Sequence, residues 1–147
     1  MKHTFFLSGM KWEAEGIYYD EKENTFNLRG ESNAVRTDKE WSLDGFIEVL
    51  SDKPVRFYNK YKIFETNKKN TLKWESLNPA IGILKGSFEI IGSKIISVYA
   101  SEQGDYTGTE TLIQKDEKTY DNAGVFFYKG QKISSWTTIL KAKNSIL

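Results

Sequence analysis

The segment Lys132–Lys143, KISSWTTILKAK, decides how this chain is read. With a period of two it places Ile133, Ser135, Thr137 and Ile139 on one face and Ser134, Trp136, Thr138 and Leu140 on the other. Neither face is purely apolar, so the question is which of them a core would accept. The two preceding runs have the same texture. YTGTETL carries Tyr106, Gly108, Glu110 and Leu112 on one face, and TYDNAGVFFY carries Tyr120, Asn122, Gly124, Phe126 and Tyr128 opposite Asp121. A solid core would be filled with Leu, Ile, Val and Phe. Aromatic walls interrupted by a few polar groups are the mark of a pocket. The three runs therefore predict one wall of a container, with Ser134, Trp136, Thr138 and Leu140 inward.

The rest of the chain repeats this alternation between short turn signals. Trp12, Ala14, Gly16 and Tyr18 oppose Glu13 and Glu15; Phe26, Leu28 and Gly30 oppose Asn27, Arg29 and Glu31; Trp41, Leu43, Gly45, Ile47 and Val49 oppose Asp44 and Glu48. Phe57, Asn59, Tyr61 and Ile63 follow against Arg56, Lys60 and Lys62, then Leu72, Trp74 and Ser76, then Leu84, Gly86, Phe88 and Ile90. The run IISVYAS does not choose a face. In YTGTETL the three threonines compete for the inward side, and the match to the neighbouring strands favours Glu110. This makes about ten strands with no segment of helical period; His3–Gly9 reads as one short turn plugging an end. Strands joined by tight turns pair with their sequence neighbours, and a long meander removes its edges by closing. The expected fold is all-β: a single antiparallel up-and-down β-barrel over residues 1–147. A two-sheet sandwich is the alternative, but its crossings need longer connections.

Composition narrows the function. The 147 residues contain no cysteine, which removes disulfides and thiolate chemistry and fits a reducing compartment. A net charge of +1 supplies no field for nucleic acid or an anionic membrane. The apolar patch Thr4–Leu7 is too short for a secretory signal, and no apolar run approaches a membrane span. The expectation is a cytoplasmic protein without membrane insertion, with a homodimer left open.

Laid out in this way, the chain resembles the calycin superfamily of lipocalins, fatty-acid-binding proteins and small bacterial lipocalin-like barrels. Lipocalins carry Gly-x-Trp on the first strand, with the Trp across the closed end of the barrel. Here the stretch is Gly9-Met10-Lys11-Trp12, one residue longer. The resemblance implies a ligand-holding barrel closed at one end by Trp12. The ending also resembles nitrobindin-like haem barrels, but Ser135 stands where their axial histidine would be, and a hydroxyl is a poor haem ligand.

The residues that could meet a ligand are Asn59, Tyr61, Trp74, Glu110, Asn122 and Trp136. Glu110 is the most informative, because a buried carboxylate must be paired, protonated or used. Arg29 and Arg36 read as facing outward and are set aside as its partners. No catalytic residues and no metal ligands emerge. With no Cys and only His3, neither a nucleophile–histidine pair nor a zinc site can be assembled. No phosphate-cradling loop appears, and no cofactor is expected. The favoured reading is a barrel binding a small apolar or amphiphilic molecule. Two alternatives stand beside it: a lipocalin-like isomerase or lyase using Glu110 or Tyr61, and a filled barrel acting through its outer surface.

Overall fold

The computed structural model describes residues 2–38 and 40–143; Met1, Lys39 and the last four residues of the expected domain lie outside that range. Ten strands follow one another: β1 (Lys11–Tyr19), β2 (Thr25–Thr37), β3 (Glu40–Leu50), β4 (Val55–Glu65), β5 (Thr71–Asn78), β6 (Gly82–Ile91), β7 (Lys94–Ser101), β8 (Tyr106–Asp116), β9 (Thr119–Tyr128) and β10 (Gln131–Ala142). Each pairs antiparallel with its sequence neighbours, and β1 pairs with β10, so the sheet closes on itself. Closure leaves no terminal edge strand to recruit another chain. The architecture is the expected up-and-down barrel, and among the described residues no helix is long and apolar enough to cross a membrane.

Cross-strand partners share a face, so the register carries the inward rows around the wall. Trp136 lies opposite Gly124, Gly124 opposite Glu110, and Glu110 opposite Ser97. One step towards the closed end, Thr138, Asn122, Leu112 and Ile95 form the next row. The undecided β7 is thereby resolved. Ile95 and Ser97 are buried and face the interior, while Val98 is exposed.

One end of the barrel is solid. Residues 3–10 run across it as consecutive turns, the expected plug. Phe5, Trp12 and Tyr120 are almost completely buried; Phe5 and Trp12 each meet Tyr120 edge to face, with Trp12 and Tyr120 centroids 5.3 Å apart. The Tyr120 hydroxyl accepts the backbone N–H groups of Thr4 and Phe5 at 3.1 and 3.2 Å, so it satisfies donors that no strand could reach. Trp12 thus helps to close this end of the barrel. His3 anchors the plug to the wall. Its Nδ1 lies 2.9 Å from the Tyr120 hydroxyl and its Nε2 2.8 Å from the Gly92 carbonyl, so it ties the plug to the β6–β7 turn.

The other end is looser, and the wall itself parts on one side. β4 pairs with β5 only from Tyr61 to Glu65; its first half, residues 55–60, pairs with β3 alone. Phe57, Tyr58 and Leu77 flank this opening and are exposed.

Candidate functional site

Directly above the plug lies a cavity of about 120 Å³. Asn59, Tyr61, Glu110, Asn122 and Trp136 all line it, together with Thr138, Leu140 and apolar residues of β2 and β3. The sixth expected residue, Trp74, stands behind Tyr61. Its ring meets Tyr61 edge to face at 5.0 Å, and its indole N–H donates to Ser97 Oγ at 3.0 Å. The structure therefore gathers five of the residues on one lumen and makes the sixth a support for Tyr61.

The lumen stays open because aromatic rings are laid along the wall. A Cβ at Gly124 would lie 2.2 Å from the Trp136 ring, so that ring can rest flat only on a glycine. The same holds at Gly108, where a Cβ would lie 2.4 Å from the Tyr99 ring. Each ring fills the space that a neighbouring side chain would take and leaves the centre free. Around the wall the aromatics form an arc. Trp74 lies between Tyr61 and Tyr99, and Tyr99 stacks on Phe126, which stacks on Tyr106.

The polar groups are held as firmly as the rings. Trp136 Nε1 donates to Glu110 Oε2 at 3.1 Å. Thr138 Oγ1 donates to Asn122 Oδ1 at 2.9 Å, and Asn122 Nδ2 donates to the Thr111 carbonyl at 3.2 Å. This answers why an interior face carries hydroxyls: Thr138 fixes the orientation of an amide that looks into the lumen. Burial pushes the Glu110 carboxyl above its usual range, and hydrogen bonds from Asn122 and Trp136 only partly oppose that shift. Desolvation also raises both Tyr61 and Tyr99, and the Glu110 charge adds to it in each case. The site can therefore hold an acidic proton, accept hydrogen bonds and present aromatic faces.

The arginines set aside earlier are engaged elsewhere. Arg29 Nε pairs with Glu48 at 3.0 Å on the outer wall. Arg36 corrects its assigned face: it lies opposite the inward Trp41, but at the barrel end, 4.4 Å over that ring and paired with Glu65 at 2.7 Å. Neither reaches Glu110. Among the described residues no three His, Cys, Asp or Glu side chains gather as a metal site requires. Sequence reasoning missed Tyr99 and the ring-on-glycine device. Gly108 and Gly124, each one residue from a β-branched neighbour within a strand, were the available signal.

Fold and cavity together define a lipocalin-like barrel, calycin-like in architecture. Among solved structures, the S-type phycobiliprotein lyase CPES from Guillardia theta superposes with a TM-score of 0.60, covering 93% of this chain and 88% of that one at 6% identity. That likeness is one of fold. An N-terminal dehydratase from the difficidin assembly line also matches at 6% identity, over 92% of this chain and 79% of its own, with a TM-score of 0.28. No family model matches the sequence, and no curated protein does.

Proposed function

We propose that the barrel binds a small, largely apolar molecule in the lumen above the plug, with Asn59, Tyr61, Glu110, Asn122 and Trp136 as its contacts and Trp74 as a support. The observation that carries this reading is the pair of rings laid flat on Gly124 and Gly108. A barrel meant to be solid would point such rings inward, whereas here glycines are used to keep them on the wall. The lumen combines mainly apolar lining with a few oriented polar groups, the usual makeup of a ligand site. The parted wall between β4 and β5, flanked by exposed Phe57 and Leu77, is the way in.

An enzymatic reading has one observation in its favour. A carboxyl whose pKa burial raises, set beside aromatic walls, is equipped to donate a proton as a general acid. Binding comes first in either case, and the same experiment addresses both. Native mass spectrometry of the purified protein should show a one-to-one small-molecule adduct whose mass identifies the class, and a second species of altered mass after incubation would reveal turnover. A single unliganded mass, unchanged after incubation with toluene or benzyl alcohol, contradicts the container reading.

A further inference from the structure

We propose that the occupant of the lumen is a small organic cation, an ammonium of about one ring's volume, with its charge on Glu110 and its apolar part between Trp136 and Tyr61. This rests on the container reading and assigns the chemistry of its ligand.

The first argument is charge. Glu110 is an interior carboxylate with only neutral donors, the Trp136 indole and the Asn122 amide. Among the described residues no lysine, arginine or histidine forms an ion pair with it. The two other charged residues along the cavity are satisfied outside: Arg29 by Glu48, and Glu31 by Lys143 at 2.9 Å. The chain supplies cations to carboxylates readily elsewhere. Glu48 sits between Arg29 and Arg56, each at 3.0 Å, and the Arg29 hydrogen bond holds its carboxyl below the usual range. Inside the barrel the matching cation is missing. A carboxylate drawn away from water without a counter-charge is disfavoured in its ionised form, which raises its affinity for a proton. A ligand that brings its own positive charge offsets that penalty.

The walls agree with this choice. Aromatic faces carry negative potential and attract cations, most strongly where water is excluded. Trp136 and Tyr61 line the cavity beside the carboxyl, and the Tyr61 and Tyr99 phenols are both within reach of its charge. No titratable side chain from β2 or β3 faces Glu110: the inward residues of those strands at the cavity are Leu28, Gly30, Ser32, Leu43, Gly45 and Ile47. β9 and β10 contribute Asn122, Thr138 and Trp136. A fatty acid or other anionic amphiphile would find no cation beside Glu110 to pair with. Size sets the last limit. The 120 Å³ space is close to the roughly 150 Å³ cavity that accommodates a benzene ring in another protein.

The test uses three probes of one shape: benzylammonium, benzyl alcohol and benzoate, titrated calorimetrically into the whole protein near neutral pH. Benzylammonium should bind about tenfold tighter than benzyl alcohol, and benzoate should not bind. Repeating the benzylammonium titration in buffers of different ionisation enthalpy should show net proton release as the cation binds, because the incoming charge favours the carboxylate over the acid. Glu110→Gln should erase both the preference for the cation and the proton release. The proton measurement on the unaltered protein stands even if that variant fails to fold. Benzyl alcohol binding as tightly as benzylammonium, or cation binding without proton release, overturns the cation assignment and leaves the container reading standing. Failure of all three probes overturns both.

Discussion

The closed end and the middle of this barrel use the same residue types to opposite effect. At the closed end Phe5, Trp12 and Tyr120 pack against one another and are almost completely buried. Further along the barrel, Trp136 lies on Gly124 beside a void, and Tyr99 lies on Gly108 in the wall. Aromatic content alone therefore does not tell a core from a pocket; what sits beneath each ring does. The tyrosine hydroxyls tell the same story. That of Tyr120 is consumed by two backbone N–H groups of the plug. The phenols of Tyr61 and Tyr99 instead surround a carboxyl that has no counter-charge.

The comparison can be broken most forcefully at the floor. Trp12→Ala should destabilise the protein by about 3–5 kcal/mol, since it removes a buried indole from a packed cluster. Urea unfolding at fixed pH measures this. A loss under about 1 kcal/mol would mean that the plug does not close the barrel.

Next in size is the wall. Gly124→Ala drives a methyl group into the Trp136 ring and forces the indole off the wall into the lumen. The expected cost is about 1–3 kcal/mol of stability, the range for overpacking. Ligand affinity should fall with it, as should the Trp136–Glu110 hydrogen bond, read from the indole N–H resonance. Unchanged affinity in a folded variant would show that the ring position does not shape the site.

Tyr120→Phe sharpens the floor at lower cost. Losing the hydroxyl strands the Thr4 and Phe5 N–H donors, for about 1–2 kcal/mol. Amide exchange should quicken at Thr4 and Phe5 while Asn122 and Thr138 stay protected. Equal acceleration at both places would mean the two regions are not separate.

The smallest effect is expected from Glu110→Gln, and it should depend on pH. Because the folded-state pKa is raised, the protein holds this group without penalty below the ordinary carboxylate range. It loses stability as pH rises through the raised value, where the unfolded chain ionises and the folded one resists. The variant should therefore gain on the parent protein as pH increases from acid to neutral. Parallel stability curves, or a gain towards acid, would contradict the burial of this carboxyl.

Alternation carried most of the fold. The glutamates of β1, the lysines of β4 and Asp121 of β9 each mark the solvent side, and a period of two then assigns the rest. β7 resisted because Ile95 and Ile96 are both apolar, so only pairing with β8 could choose between them. The gathering of Asn59, Tyr61, Glu110, Asn122 and Trp136 was partly legible, since three of them lie on consecutive strands. What lies across the barrel was not. The meeting of Tyr61 with the Glu110 side depends on strand tilt and stagger, which are properties of closure rather than of local sequence. The parted β4–β5 wall and the His3–Tyr120 anchor were hidden for the same reason.

The most direct test is to follow the indole N–H resonances of Trp12 and Trp136 while a neutral one-ring compound such as toluene is added. Assignment by Trp136→Phe identifies the second signal. A solid floor beneath an occupied lumen predicts that the Trp136 resonance shifts saturably while that of Trp12 moves far less. A saturable shift at Trp12 with Trp136 unmoved, or no shift at either, would contradict it.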